Sequence, residues 1–172
     1  YDSGGLVPLK NPCVYEIEEA ISKYHINVYG NGFEAEKAKG KEHFTYTGFV
    51  PADQLIAKAE GDFGLVWDGD SITSCSGNWG EYLQYNNPHK TSLYIRCELP
   101  VIIWKKAALA PFIEKNKIGI PIDSLTELNE RLKALSPEEY KQMKANIAIV
   151  SNRLSNGYYC TKAVEEALKT LL

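Results

Sequence analysis

The sequence predicts an α/β fold built on a doubly wound parallel sheet. Short apolar segments rich in β-branched and aromatic residues alternate along the chain with segments of helical period. Two of the apolar segments, 63–67 (FGLVW) and 101–104 (VIIW), are typical of strands buried on both faces. Connections of the strand–helix–strand type give parallel pairing, so we expect one Rossmann-like sheet with helices on both sides.

The first half of the chain predicts three strands. Residues 1–12 contain Gly and Pro close together and are predicted as a loop. Apolar residues at helical spacing predict the first helix, and Pro51 opens a second one. The predicted strands are 25–29, 44–47 and 63–67, and the predicted helices are 13–24 and 51–59, with a helical turn within 33–39.

The second half begins with a polar segment, 68–87, that has no clear period and holds at most a short helix at 81–85. Ser136 is predicted to cap a helix whose first residue is Pro137, and Asn156-Gly157 is predicted to end it. The remaining predicted helices are 88–97, 107–116, 125–135, 137–154 and 158–172, and the remaining predicted strands are 101–104 and 118–121.

Composition limits the classes of protein. The 172 residues fit one domain, and a net charge of −3 argues against a nucleic-acid partner. No apolar run approaches the length needed to cross a bilayer. The four cysteines have no metal-type spacing, so we expect free thiols in a reducing cytoplasm. Neither a P-loop nor a dinucleotide-binding glycine motif is present.

Residues 86–92 predict an anion site at the start of a helix. Asn87 is a good N-cap and Pro88 a good first helical residue, which places His89 and Lys90 in the first turn. A cation is poorly placed there unless an anion binds, and Thr91 and Ser92 add hydroxyl groups. We therefore predict that a phosphate or diphosphate binds at this helix start, a solvated lysine being the alternative.

Five sequence motifs resemble those of a known family: 28–32 (VYGNG), 46–51 (YTGFVP), 63–71 (FGLVWDGDS), 86–94 (NNPHKTSLY) and 99–102 (LPVI). With these motifs in this order, the chain resembles the C-terminal, donor-binding half of GT-B glycosyltransferases. It is most similar to the glucosyltransferase 3-like and galactofuranosyltransferase-like group, which includes bacterial enzymes that extend O-linked glycans on serine-rich adhesins. The resemblance covers about residues 25–170.

The resemblance implies that residues 1–172 form a single domain that binds a UDP-sugar, UDP-glucose being the first candidate. Lys90, Thr91 and Ser92 would then hold the diphosphate, and His89 could donate to it as well. The backbone of Gly48, Phe49 and Val50 would flank the uracil. Tyr29, Asn31, Asn87 and either Asp68 or Asp70 would lie near the nucleotide or the sugar.

Two residues depart from the usual GT-B pattern. Leu93 stands where such enzymes often have a Glu that binds the ribose, so the ribose contact stays open. Glu98 stands where a Gly is usual before Leu-Pro-Val, and it would be strained if that position requires a positive φ. In the polar segment, Trp79, Tyr82 and Tyr85 are further candidates for contact with a sugar.

The implied activity is hexosyl transfer by a full-length cytoplasmic enzyme. By the resemblance, the acceptor is a glycan on a glycoprotein. The catalytic base and the acceptor groove belong to an N-terminal half absent from this chain, so the chain alone is expected to be weakly active or inactive. Association with further copies of the chain stays open. We expect no cofactor and no metal, because lysine and helix-terminal amides can neutralise the leaving diphosphate.

Two alternatives remain open. The chain could be half of a UDP-sugar epimerase on the same architecture, although no clear set of acid and base residues is present. It could also be a non-catalytic, glycosyltransferase-like subunit that stabilises a true enzyme.

Overall fold

A computed structural model describes residues 11–21 and 23–171. Its strands are β1 (Ile26–Tyr29), β2 (Phe44–Gly48), β3 (Gly64–Val66), β4 (Val101–Trp104) and β5 (Gly119–Ile122). Its helices are α1 (Pro12–Tyr15), α2 (Glu18–Ile21), α3 (Ala52–Lys58), α4 (Gly77–Tyr82), α5 (His89–Arg96), α6 (Ala110–Asn116), α7 (Leu128–Ala134), α8 (Pro137–Ser155) and α9 (Tyr158–Leu171). Shorter 3₁₀ turns span Ala35–Lys37, Lys41–His43 and Leu125–Glu127.

The strands pair in parallel, which confirms the predicted α/β class, but the described strands form two sheets and not one. One sheet contains β1 and β2, and the other has the order β3-β4-β5. No backbone ladder joins β1 to β3 within the described ranges. A side-chain hydrogen bond from Asn27 Nδ2 to the Glu60 carbonyl oxygen (3.0 Å) links the start of β1 to the segment before β3.

Each sheet has its own apolar core. The larger core surrounds β3-β4-β5 and includes Val66, Val101 and Ile103, all with no solvent exposure. The smaller core lies beside β1 and β2, where the rings of Tyr15 and Phe33 stack at 5.2 Å.

Close packing of α5 on β3 sets the position of the lysine predicted to bind an anion. A Cβ atom on Gly64 would collide with the ring of Tyr94, so only glycine lets the helix approach this closely. Lys90 precedes Tyr94 by one helical turn on the same face. Lys90 is thereby carried toward the carboxyl end of β3.

Helix α8 starts where the sequence predicts and supports the ends of two other helices. The Ser136 hydroxyl accepts from the Glu139 N–H (3.2 Å), and the Glu139 carboxylate accepts from the Ser136 N–H (2.9 Å), forming a capping box. Lys144 donates to the Glu98 carbonyl (2.6 Å) and Asn146 to the Lys117 carbonyl (3.1 Å).

Several predicted boundaries are wrong. The helix predicted over 13–24 is broken into α1 and α2, and the short helix predicted at 81–85 is instead α4, which begins at Gly77. Helix α5 begins at His89: Pro88 takes the cap position with an extended ψ of 132°, and no side chain caps the helix. Helix α6 begins at Ala110, three residues later than predicted. Most of the loop predicted over 1–12 lies outside the described residues.

Among the described helices, none combines the length and the apolar character that a membrane span requires.

Candidate functional site

A cavity of about 440 Å³ lies between the two sheets. Its walls are mainly apolar side chains from β1, β3 and the neighbouring helices, among them Val28, Leu65 and Tyr94. Tyr29 and Asp68 line it where β1 and β3 end, together with Lys90 of α5. Further polar residues line it elsewhere: Asn11, His25, Asn27, Glu60 and Asp62. A largely apolar cavity of this size with a few convergent polar groups is typical of a small-molecule site.

Lys90 and Asp68 form an ion pair with little solvent access. The Lys90 Nζ lies 2.5 Å from Asp68 Oδ1 and also donates to the Trp67 carbonyl at 3.3 Å. Only 8% of the lysine side chain and 19% of the aspartate side chain are exposed. A lysine ammonium has three N–H donors, so these two contacts leave one for a ligand.

The backbone at the start of α5 adds further donors. Within the described residues, the N–H groups of His89 and Lys90 have no acceptor, whereas the Thr91 N–H is bonded to the Pro88 carbonyl (3.0 Å). Unpaired N–H groups at a helix start carry partial positive charge. The start of α5 therefore presents donors suited to an anion beside the Lys90 ammonium.

The polar segment after β3 is held in place by hydrogen bonds that its sequence does not reveal. The Trp67 indole donates to the Ser71 carbonyl (2.9 Å), and the Asp70 N–H donates to the Ser76 carbonyl (3.2 Å). A Cβ atom on Gly80 would lie 2.9 Å from the Asp68 carbonyl oxygen, so α4 packs directly on this turn. Asp68 thus sits on a supported turn.

Two buried thiols lie close to the ion pair. The pKa of both Cys13 and Cys75 is raised to about 12, mainly because the thiols are buried and in smaller part because of the nearby Asp68 charge. Both thiols therefore stay protonated near neutral pH and serve as packing groups. The prediction of free thiols holds for all four cysteines, but Cys160 is exposed and Cys97 only half-buried.

The predicted uracil-binding segment lies beside the end of β1. The Gly30 N–H donates to the Gly48 carbonyl (2.9 Å), and the Tyr46 hydroxyl donates to the Gly30 carbonyl (2.9 Å). Phe49 is 55% exposed. Gly48, Phe49, Val50 and Asn31 thus lie next to Tyr29 but do not line the cavity.

The predicted convergence of the Lys90, Thr91 and Ser92 side chains does not occur. Lys90 faces the cavity, Thr91 is 1% exposed with a hydroxyl that has no partner among the described residues, and Ser92 is exposed. Consecutive residues on a helix face different directions, which accounts for the difference. His89 and Asn87 are exposed near the helix start.

Tyr94 is a cavity residue that the sequence reasoning missed. Its ring lines the cavity with Lys90, four residues earlier on α5. The spacing alone could have identified it, because residues four apart share a helix face.

One group of potential metal ligands occurs among the described residues, away from the cavity. Glu18, Glu42 and His43 place ligand atoms within 4.8 Å of one another, and none of the three lines the cavity. Exposed acidic groups commonly cluster in this way without a bound ion. The cluster is therefore separate from the candidate site.

Comparison with known proteins identifies the family. The family described as "Glucosyltransferase 3-like, C-terminal domain" matches residues 3–167. The chain belongs to this family. As a glucosyltransferase 3-like domain, it has relatives among complete glycosyltransferases.

Two relatives indicate the range of the family. The domain is 50% identical over 109 residues to the β-1,6-galactofuranosyltransferase WbbI of Escherichia coli K12, covering 63% of this chain and 33% of WbbI. It is 28% identical over 138 residues to glucosyltransferase 3 of Streptococcus gordonii, covering 80% of this chain and 40% of the relative. The matched region thus spans about a third to two fifths of these relatives.

Proposed function

We propose that this glucosyltransferase 3-like domain binds the nucleotide-sugar donor of a glycosyltransferase. The donor is a UDP-sugar, with UDP-glucose as the first candidate, and the full-length protein transfers the hexose to a glycan acceptor. Membership in the family supports the transferase class. The relatives named for glucosyl and for galactofuranosyl transfer show that the family does not fix the sugar.

The observation that carries the proposal is the position of Lys90. Its ammonium lines the cavity beside the unpaired N–H groups that start α5. A diphosphate bound there receives one lysine N–H and the helix-terminal amides together. Asp68 fixes the direction of the lysine side chain through their 2.5 Å contact.

This arrangement supplies what departure of a nucleoside diphosphate requires. Negative charge grows on the leaving diphosphate as the acceptor hydroxyl attacks the sugar carbon. Donors already aimed at that position stabilise the charge without rearrangement. The uracil would lie toward Tyr29 and the Gly48–Val50 backbone, and the two sheets would act as halves of one doubly wound, Rossmann-like layer.

Thermal unfolding with UDP, UDP-glucose, UDP-N-acetylglucosamine and ATP tests the proposal. A ligand at a hundred times its Kd stabilises the fold by about 2.7 kcal/mol, so we expect UDP and at least one UDP-sugar to raise the Tm and ATP not to do so. Added EDTA should leave the shift unchanged, because the proposed site uses no metal.

The matched variants are Lys90→Met combined with Asp68→Asn, and Lys105→Met. The first removes both charges of the buried pair and should abolish the UDP shift. Lys105 lies on the surface, 3.2 Å from Asp123, so its variant should keep the shift. A UDP shift that survives in the double variant contradicts the proposed site.

The proposed transferase and the two alternative functions predict different outcomes when the protein meets a UDP-sugar. The full-length protein should release UDP from UDP-glucose only when an acceptor glycan is present. Conversion of UDP-N-acetylglucosamine into an isomer would indicate that the protein is an epimerase. UDP binding without transfer by the full-length protein would indicate a non-catalytic subunit.

A further inference from the structure

Two strand edges face each other across the cavity, one in each sheet. The Gly30 N–H donates to a β2 carbonyl (2.9 Å), and the Gly64 N–H donates to the carbonyl just before β4 (2.9 Å). Successive residues of a strand direct their N–H and C=O groups to opposite edges. Tyr29 and Leu65, which neighbour these two glycines and line the cavity, therefore direct their backbone groups away from β2 and β4.

These two edges carry backbone groups without partners. Within the part of the chain that the structure describes, the N–H groups of Asn27, Tyr29 and Leu65 have no acceptor. The cavity extends along both edges, because residues 24–29 and 59–65 all line it. An unpaired strand edge is the surface on which a further strand docks, and here two such edges border one cavity.

Two helix pairs enclose the same cavity. Leu128 and Leu132 of α7 line it together with Ile17, which lies just before α2, and α2 packs on α7. Leu55 of α3 and Tyr94 of α5 line it as well, and these two helices pack on each other. A strand between β1 and β3 would therefore be covered by helices, and strands in that setting are apolar throughout.

The position of α1 indicates how such a strand would be connected. The Cys13 N–H donates to the Gly69 carbonyl (3.4 Å), so α1 begins at the carboxyl end of β3, and Asn11 and Val14 line the cavity there. A strand parallel to β3 ends at this same edge and leads toward α1. Helices α1 and α2 would then join it to β1, as α3 joins β2 to β3.

The polypeptide that precedes the domain is the candidate source of this strand. Residues 1–10 contain Gly4, Gly5 and Pro8, residue types that weaken or interrupt a central strand. The matching family is named for a C-terminal domain, and the match covers 33% of WbbI and 40% of glucosyltransferase 3 of Streptococcus gordonii. A C-terminal domain has its further polypeptide on the N-terminal side, which is the side where α1 begins.

We propose that the apolar length of the cavity holds an additional β-strand, supplied by the polypeptide that precedes this domain in the full-length protein. The strand pairs in parallel with β1 and β3 and joins the two sheets in the order β2-β1-added strand-β3-β4-β5. Lys90 donates to the Trp67 carbonyl at the end of the β3 edge and limits the strand there. The polar end of the cavity stays open for a ligand, as at the carboxyl ends of doubly wound sheets.

A short extension of the chain tests this inference. The segment Val-Val-Ile-Val-Val, fused before Tyr1, supplies an apolar strand, and hydrogen exchange followed by NMR reports on each backbone amide. We expect the Asn27, Tyr29 and Leu65 amides to exchange about tenfold more slowly, or slower still, in the extended chain than in the 172-residue chain. The Tm of the extended chain should rise by about 5 °C or more.

The matched control has proline in place of the central isoleucine of the extension. Proline cannot donate to a ladder and is excluded from central strands, so this version should give neither the protection nor the rise in Tm. The Gly30 and Gly64 amides, already bonded within their sheets, should change less than the Tyr29 and Leu65 amides. The UDP-induced Tm shift should persist in the extended chain, because the strand leaves the Lys90 end open.

Several results would overturn the inference. One is equal exchange of the Asn27, Tyr29 and Leu65 amides in the extended and the 172-residue chains. Another is equal protection by the proline version, since the extension would then act without strand pairing. Protection that rises with protein concentration in the chain without an extension would identify a second copy as the occupant instead.

The response to UDP separates this inference from the proposed donor site. A UDP shift that the extension abolishes would show that strand and nucleotide need the same space, which contradicts the added strand as placed here. Protection of the two edges with no UDP shift in either chain would support the strand and contradict the donor site.

Discussion

Lys90 and Asp68 are 22 positions apart in the sequence, yet their side chains meet at 2.5 Å with little solvent around them. Two charges in this setting stabilise each other, and either one alone would be poorly solvated. The pair therefore serves two purposes: it gives each buried charge a partner, and it points the ammonium along the cavity wall.

We expect Lys90→Met to lower the free energy of unfolding by roughly 3 kcal/mol, because it leaves Asp68 without its partner. The double variant with Asp68→Asn should recover much of that loss, since no isolated charge remains. Urea unfolding at pH 7 measures both values. Lys105→Met, at an exposed pair, should change stability by no more than about 0.5 kcal/mol. Equal losses in the single and double variants would contradict this account.

Glu98, the residue before Leu-Pro-Val, is where the sequence analysis considered backbone strain. Its φ of 55° lies in the left-handed region, which meets the condition under which strain was expected there. Glu98→Gly should therefore raise the free energy of unfolding by up to about 1 kcal/mol, the typical cost of that conformation for a residue with a Cβ atom. Glu114→Gly, at an exposed position of α6, is the control and should instead lower stability by about 1 kcal/mol. A loss of stability in Glu98→Gly would show that the Glu98 side chain matters more than its backbone.

At the scale of single elements, α8 connects the ends of two helices to the domain. Its Lys144 and Asn146 side chains hold the carbonyls of Glu98 and Lys117, the positive-φ residues other than glycine in the described ranges. These two residues follow α5 and α6, so α8 supports the end of the helix that carries Lys90. The residue at which α8 begins is fixed by the capping box in its first turn.

Ser136→Ala should lower the free energy of unfolding by about 1 kcal/mol, because it removes half of the capping box. Hydrogen bonds from the Ser136 N–H and hydroxyl lower the pKa of Glu139. The lowered pKa means that Glu139 stabilises the fold at neutral pH, and that this contribution disappears as the pH falls through its folded-state pKa.

The pH dependence gives the check. The stability difference between wild type and Glu139→Gln should be largest above pH 5 and should shrink toward pH 3. Glu138→Gln, one residue earlier in the same turn, lacks the bonds to Ser136 and should give a flatter profile. A constant difference for Glu139→Gln across this range would exclude a role for its ionisation.

At the scale of the whole molecule, the sequence predicted local features better than distant ones. The Ser136 cap, the strand at 101–104 and the end of α8 at Asn156-Gly157 were confirmed because each depends on residues within one or two turns. The separation of β1 from β3 could not be predicted. Strand pairing is decided by contacts between distant segments, and no local pattern records a missing ladder.

The site was predictable to a similar extent. The sequence around Lys90 predicted that this lysine lies in the first turn of a helix. The structure agrees, because α5 begins at His89. The sequence did not predict that Asp68 pairs with Lys90, nor that Thr91 turns into the core, because both depend on how α5 packs on β3. The binding roles assigned from the sequence all stay predictions: Tyr29, Asn31, Gly48, Phe49, Val50, Asp68, Asn87, His89, Lys90, Thr91 and Ser92.

Helix α9 shows how stability is distributed over the molecule. From Thr161 to Leu171 every residue is exposed, including Leu168 at 51% and Leu171 at 80%. Its packing on the domain comes from its first turn, where the Tyr159 ring meets Phe112 edge-on at 5.6 Å. We therefore expect a chain that ends at Cys160 to unfold as cooperatively as the whole chain, with its Tm lowered by only a few degrees.

Calorimetry of both chains checks this, with Tyr159→Ala as the matched variant. Tyr159→Ala removes the aromatic contact while keeping the helix, and should cost more stability than the truncation does, about 1 kcal/mol or more, because it deletes partly buried apolar area. The opposite order, with truncation the more damaging change, would mean that residues 161–171 bury surface in solution that they expose in this structure. Self-association that disappears on truncation would then account for the buried surface.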